Sequence, residues 1–201
     1  FFFTFIVIAF MRSGDIRTIV LVCTVALMGG LLVLMFRPYV ANRFAAYGHV
    51  WEYFDTSGYQ QTRTMIYSAS GGLFGVGLGN GKLRDVFAAT EDLVFGVVCE
   101  EFGMIMAGAI LLSYIALLVY SIRHSKYARS SFYAICACAA ASLMLFQAAL
   151  NVFGVNDILP LTGVTLPFIS RGGSSIISCW MLLAFIKAVD RSTYRYGGVR
   201  Q

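Results

Sequence analysis

The sequence carries little charge. Only 12% of its 201 residues are Asp, Glu, Lys or Arg, whereas 59% are hydrophobic. A soluble globular domain has about a quarter of its residues charged, so the composition excludes that class and favours a membrane protein. The pI near 9.0 does not indicate nucleic-acid binding, because the basic residues are scattered between apolar runs and form no patch.

Disulfide and zinc patterns are also missing. The five cysteines are odd in number, include no Cys-x-x-Cys pair and all lie in apolar runs. The two histidines, His49 and His124, belong to separate loops. The sequence therefore indicates neither a disulfide framework nor a zinc site, and it leaves any other metal site unknown.

Long apolar runs are abundant. The first, FFFTFIVIAF, has no initiator methionine or basic flank before it, so we expect a fragment that begins within a helix rather than a signal peptide. About 20 apolar residues cross a hydrocarbon core of ~30 Å as a helix. The runs predict a single all-α membrane domain over 1–201, a polytopic transmembrane helical bundle. Its spans are expected at about 1–11 (partial), 18–36, 93–121, 132–150 and 174–189.

Residues 37–92 are expected to form a long extracellular loop. The central stretch WEYFDTSGYQQTRT is too polar to span a bilayer, and the following MIYSASGGLFGVGLG is apolar but broken by glycines. Irregular backbone at membrane depth is tolerated only against protein or a water-filled cavity. The loop is therefore predicted to carry short or re-entrant helices.

Basic residues predict the orientation, because short cytoplasmic loops retain Lys and Arg. One set of alternating loops carries only two acids beside its basic residues, which are Arg12, Arg17, Arg123, Lys126, Arg129, Lys187, Arg191, Arg195 and Arg200. On the other set, basic and acidic residues balance. The first set and the C-terminus are therefore predicted to be cytoplasmic, and the loop 37–92 to lie outside, where no ATP or NAD is supplied.

The glycine run at 71–81 is not a phosphate-binding loop. Gly81-Lys82 resembles the end of a Walker A motif, but Val76 and Leu83 occupy the positions that need Gly and Ser or Thr. Glycines here favour close approach of backbone segments near the membrane surface.

Asp92 is the candidate catalytic residue. It directly precedes the predicted span from 93, where a carboxylate could simply cap the helix. The other interpretation is a general base at the outer surface, with the basic residues Lys82 and Arg84 nearby in the sequence. The residues alone leave both interpretations open.

Further polar residues lie within the predicted spans or at their ends. Glu100 and Glu101 lie inside an apolar run, where they could pair with another helix or act on substrate or protons. Gln147 and Asn151 share a helix face and could bond to a neighbouring helix or to a ligand. The run Arg171, Gly172, Gly173, Ser174 and Ser175 opens the last span, either as a serine cap or as an anion site.

Several motifs together resemble the SEDS family (RodA/FtsW/SpoVE) of membrane peptidoglycan polymerases. They are GYQ at 58–60, SGGLFGVGLGNG at 70–81, the Asp92-x-x-Phe pair, EE-x-G at 100–103, QAALN at 147–151 and LPLTGVTLPFISRGGSS at 159–175. The chain departs from the family pattern at Val86-Phe87-Ala88, Glu91 and Arg171. The resemblance implies a ten-span fold of which this is the C-terminal half, with Asp92 matching an essential aspartate.

The resemblance also implies a function: polymerisation of lipid II by a glycosyltransferase on the outer face of the bacterial cytoplasmic membrane. Asp92 would be the base. The substrate-binding candidates are Arg63, Lys82, Arg84, Glu100, Gln147, Asn151, Arg171, Gly172, Gly173, Ser174 and Ser175. Undecaprenyl pyrophosphate would leave, no cofactor is certain, and a divalent cation (Mg²⁺ or Mn²⁺) could add positive charge. The implied partner is a class B penicillin-binding protein transpeptidase.

Two alternatives come from other functional classes. A flippase for lipid-linked precursors would need polar groups at the bilayer midplane, and here Glu100 and Glu101 are the main ones at depth. A non-catalytic division scaffold would have no use for Asp92.

Overall fold

The computed structural model describes residues 2–36, 47–56, 58–128 and 130–189, and its regular structure over these residues is helical. The helices are α1 (Phe2–Ser13), α2 (Ile16–Phe36), α3 (Tyr59–Ser70), α4 (Val94–Ser125), α5 (Ser131–Val155) and α6 (Gly173–Ala188). A 3₁₀ turn at Leu83–Asp85 lies between α3 and α4. The all-α prediction is confirmed, and the part of the predicted loop 37–92 that the structure describes carries short helices.

Two of these helices, α4 and α5, are long and apolar enough to cross a membrane, and α1, α6 and Ile16–Leu32 of α2 are shorter apolar helices. α4 ends at Ser125, four residues beyond the end of the predicted span 93–121. Its last turn contains Arg123 and His124, whose side chains suit the negative end of a helix dipole, so the helix continues after the apolar run has ended.

The chain divides into two compact units. The first holds residues up to Leu31, Ser113–Phe146 and residues from Ile176 onward. Its buried cluster joins α5 to α6 through Ala140, Ala141, Met144 and Ile186. The alanines of α5 are small enough to let the helix backbones approach closely, which is how membrane helices commonly pack.

The second unit holds Leu32–Leu112 and Gln147–Ser175, and it contains all the site residues that the sequence predicts. Its buried cluster consists of Leu83, Val86, Ala89, Leu93, Val97 and Val155. The 3₁₀ turn, the segment after it, the start of α4 and the end of α5 therefore share one core.

α4 is broken at Gly103, whose backbone angles are φ 82° and ψ 172°. The amides of Val76 and Gly77 donate to the carbonyls of Glu100 and Glu101, at 2.9 and 3.1 Å. In return, the amides of Met104 and Ile105 donate to carbonyls of residues 72 and 73, at 3.0 and 3.4 Å. The segment 71–77, called here the glycine loop, thus supplies the backbone partners that the broken helix lacks.

Three glycines make this insertion possible. A Cβ atom on Gly71 would overlap the Cys99 carbonyl oxygen, and one on Gly75 would overlap the Glu101 carbonyl oxygen. A Cβ on Gly103 would collide with the glycine loop itself. For Gly71 and Gly75, the prediction that the glycine run allows close backbone approach is therefore confirmed.

Candidate functional site

Three donors hold the backbone that leads into Asp92. The Arg171 amide donates to the Thr90 carbonyl at 2.8 Å, and the Ser170 hydroxyl donates to the Glu91 carbonyl at 2.6 Å. Asn151 Nδ2 donates to the carbonyl of Asp92 itself at 2.8 Å. We call these three donors the carbonyl clamp. Three consecutive carbonyls are thereby fixed immediately before α4 begins.

The clamp side chains also order the loop that follows α5. Asn151 and Ser170 are both 2% exposed. Asn151 Nδ2 donates a second hydrogen bond, of 2.7 Å, to the Val164 carbonyl, and the Ser170 hydroxyl accepts one of 2.8 Å from the Leu166 amide. The same two side chains therefore bind the residues before α4 and the segment 164–170 to each other.

Asp92 is partly buried, and its carboxylate lies against Gly163. Gly163 has φ +70°, and a Cβ atom built on it would be 3.2 Å from Asp92 Oδ2. Leu93 rather than Asp92 takes the N-cap position of α4, because the Leu93 carbonyl accepts the first helical hydrogen bond, from the Val97 amide at 3.4 Å. The carboxylate thus belongs to the residue that precedes the cap.

Glu100 lies with the 3₁₀ turn. It is 2% exposed, and its two carboxylate oxygens accept hydrogen bonds from the amides of Lys82 and Leu83, at 2.8 and 2.9 Å. Glu101 is also buried, and its Oε1 lies 3.6 Å from Nη1 of Arg84, whose side chain is half exposed. The structure thus gives Glu100 a role in anchoring the turn, and its role in substrate binding stays a prediction.

Lys82 and Arg84 are both exposed at this turn. Glu100 holds the backbone of Lys82 and Glu101 pairs with the head of Arg84. Two cationic side chains are therefore presented from a fixed backbone, as a site for a negatively charged group requires.

The side chain of Arg63 on α3 contacts two aromatic rings. Its guanidinium carbon lies 5.0 Å from the ring centre of Phe54 and 5.4 Å from that of Tyr59, distances typical of cation–π contacts. Its Nε is buried and has no hydrogen-bond partner within the described residues. The contacts fix the orientation of Arg63, while its predicted part in binding substrate stays untested.

The start of α6 contains the remaining predicted residues. The helix begins at Gly173, and Gly173 and Ser174 are exposed. Ser175 Oγ lies 3.0 Å from Thr165 Oγ1, so this hydroxyl ties the helix start to the preceding loop. Gly172 is partly buried just before the helix, and Gln147 is partly buried one turn before Asn151 on α5. Their binding roles stay predictions.

An apolar cavity of about 700 Å³ lies in the same unit. It is bounded by α3, the glycine loop, α4 and the end of α5, through residues that include Met65, Leu73, Phe95, Met104 and Val152. Within the described residues, no three His, Cys, Asp or Glu side chains are grouped as a metal site would require.

Comparison with known proteins decides which family this architecture represents. The family model described as "Cell cycle protein", which represents FtsW, RodA and SpoVE, matches residues 1–195. The chain belongs to the FtsW/RodA/SpoVE family. The SEDS resemblance is confirmed, and with it the polytopic membrane fold class.

Individual FtsW/RodA/SpoVE relatives are similar over nearly the whole chain. It is 29% identical to the peptidoglycan glycosyltransferase RodA of Mycobacterium leprae over 94% of its length, covering 41% of that protein. It is 32% identical to the probable peptidoglycan glycosyltransferase FtsW of Buchnera aphidicola over 96% of its length, covering 49% of that protein. It is 31% identical to the stage V sporulation protein E of Bacillus subtilis over 94%, covering 52%. The chain spans about half the length of these relatives.

Some residues that shape this SEDS site were not among the sequence predictions. Ser170 and Gly163 lie within the quoted motif 159–175 but were not singled out. Their importance comes from contacts with Glu91 and Asp92, about 70 or more positions away in the chain. The one local signal for Gly163 was the glycine itself, since glycine is the residue that most readily adopts a backbone with positive φ.

Proposed function

We propose that the protein is a peptidoglycan glycosyltransferase that polymerises lipid II into glycan strands, in cell elongation, division or sporulation. In this reaction a sugar hydroxyl of one lipid-linked glycan attacks the anomeric carbon of another. The bond from that carbon to the diphosphate breaks, and undecaprenyl pyrophosphate departs with the bonding electrons. Asp92 would accept the proton of the attacking hydroxyl.

The observation that carries the proposal is the presentation of Asp92 in a chain similar to proteins named peptidoglycan glycosyltransferases. Asp92 is a partly exposed residue, and it lies on a backbone segment with three consecutive carbonyls held in place. A general base needs this combination, because it must reach the proton that it accepts and must keep a fixed orientation.

Positive groups would stabilise the departing diphosphate. Lys82 and Arg84 on the anchored 3₁₀ turn are the first candidates, with Arg63 and the start of α6 in supporting positions. The described residues offer no ready ligand set for Mg²⁺ or Mn²⁺, so a divalent cation enters the proposal only as one carried on the diphosphate oxygens. No step depends on it.

Lipid and protein partners complete the proposal. The apolar cavity of about 700 Å³ has the chemistry and size to hold part of a polyprenyl chain. The family relation supports a class B penicillin-binding protein transpeptidase as partner. The distribution of basic residues supports a multi-pass position in the bacterial cytoplasmic membrane, with the C-terminus cytoplasmic.

The test is the substitution Asp92→Asn in the full-length protein, with polymer formation from lipid II as the readout and the cognate transpeptidase present. Asn keeps the size of the side chain and removes the base, so we expect polymerisation to fall by at least about 100-fold. Folding and transpeptidase binding should be unchanged. Polymerisation at the rate of the unsubstituted protein would remove Asp92 as the base and return the flippase and scaffold hypotheses to first place.

A further inference from the structure

We infer that Asn151, Ser170 and Gly163 are positioning residues that aim the Asp92 carboxylate; the inference rests on the proposed function. Asn151 and Ser170 fix the carbonyls of residues 92 and 91, and each is 2% exposed. Gly163 lies beside the carboxylate, because a Cβ atom built on it would be 3.2 Å from Asp92 Oδ2. Two side chains therefore hold the peptide backbone, and the missing side chain of Gly163 leaves the space that the carboxylate occupies.

The hydrogen bonds of Asn151 argue against direct substrate binding. Its Nδ2 already donates to two backbone carbonyls, those of Asp92 and Val164. An amide nitrogen has two N–H groups, so neither is left for a ligand. The Oδ1 atom is buried as well. Asn151 can therefore act on the reaction only through the residues that it holds.

Gly163 controls the space beside the carboxylate. A methyl group on residue 163 would be 3.2 Å from Asp92 Oδ2, which is tighter than nine in ten real Cβ contacts, so the carboxylate would have to move by a few tenths of an ångström. A displacement of 1 Å can lower the rate of an enzyme about 100-fold, so a smaller one is expected to cost about tenfold.

The chain offers a matched control for this substitution. Gly14 has φ +63°, close to the +70° of Gly163, but a Cβ built on it meets nothing within 4 Å. Gly163→Ala and Gly14→Ala therefore share the strain of alanine in a left-handed backbone conformation, and only the first displaces Asp92. The comparison isolates the contact with the carboxylate.

The experiment measures lipid II polymerisation by the two full-length variants. We expect Gly163→Ala to lower kcat about tenfold while KM for lipid II stays within about twofold, and Gly14→Ala to match the unsubstituted protein in both. Equal kcat values for the two variants would overturn the role of Gly163. A rise in KM without a fall in kcat would also overturn it, because that result describes a substrate contact.

Asn151→Leu tests the carbonyl clamp by removing one of its three donors, since Leu has a similar size and no N–H group in its side chain. Its kcat is expected to fall about 100-fold with KM within about twofold, in protein shown to be folded by its thermal unfolding transition. A folded Asn151→Leu variant with unchanged kcat would refute the clamp. If the variant does not fold, Gly163→Ala decides. Failure of the proposed function itself would look different, because Asp92→Asn would then polymerise lipid II at full rate.

Discussion

Two neighbouring glutamates on α4 make very different contacts. Both carboxylates of Glu100 and Glu101 are buried, at 2% and 4% exposure. Glu100 accepts one backbone amide on each oxygen, whereas Glu101 Oε1 has no hydrogen-bond partner within the described residues and has Arg84 at 3.6 Å. A buried charge is stabilised by hydrogen bonds far more than by a single half-exposed cation.

The free energy of unfolding should therefore respond differently to Glu100→Gln and Glu101→Gln. A Gln at 100 can accept only one of the two amides and turns its own N–H groups toward the other, so we expect a loss of about 2 kcal/mol. Glu101→Gln removes a buried charge together with its weak ion pair with Arg84. We therefore expect its free energy of unfolding to stay within about 1 kcal/mol of that of the unsubstituted protein. Unfolding of both variants by SDS titration in mixed micelles measures this contrast.

Equal destabilisation by the two substitutions would contradict the assignment of Glu100 as the anchor of the 3₁₀ turn. The sequence predicted that both glutamates are special, since a carboxylate in an apolar run is costly. It selected Glu100 as a substrate-binding candidate but could not identify the partners of Glu100, because these are backbone amides 17 and 18 residues earlier in the chain. Backbone amides carry no signature of their own in a sequence.

At the scale of single elements, the break in α4 is the feature with most consequence. The apolar run predicts one continuous span over 93–121, and the corresponding helix α4 covers Val94–Ser125. The break at Gly103 was not predicted, because the apolar character continues on both sides of it and one glycine is common in membrane helices. The partner that stabilises the break, the glycine loop, is about 30 residues away in the sequence.

The glycine loop and the break should depend on each other, and Gly103→Ala tests this. Its φ of +82° strains any residue with a Cβ, and that Cβ would collide with the backbone of Leu73 and Gly75. We expect a loss of at least about 3 kcal/mol of unfolding free energy. The control is Gly108→Ala in the same helix, where a Cβ meets nothing within 4 Å and a gain of up to about 1 kcal/mol is expected.

The same SDS titration serves for this pair of variants. A Gly103→Ala protein as stable as the Gly108→Ala protein would mean that α4 can close into a regular helix and expel the glycine loop. In that case the break in α4 would not determine the positions of Glu100 and of the 3₁₀ turn. Both substitutions add one methyl group to a glycine of α4, so their difference reports the left-handed backbone strain at Gly103 together with its contact with the glycine loop.

At the scale of the whole molecule, the sequence predicts the orientation of the protein in the membrane, which the fold alone does not determine. The apolar helices and the family relation establish a polytopic membrane protein. The side of the membrane on which Asp92 lies is a separate matter, because an inverted bundle would have the same helices and the same internal contacts. Orientation is determined by the basic residues in short loops, which interact with the translocation machinery and the membrane potential rather than with the fold.

The orientation can be tested with one exposed residue from each predicted side. Trp51 in the loop before α3 is 59% exposed, and Ser13 at the C-terminal end of α1 is also exposed. In a background with the five native cysteines replaced, Trp51→Cys should react with a membrane-impermeant maleimide in intact spheroplasts, and Ser13→Cys only after permeabilisation. The reverse pattern would put the carboxylate of Asp92 on the cytoplasmic side, where an exported lipid-linked sugar could not reach it, and the proposed polymerase chemistry would fail together with the orientation.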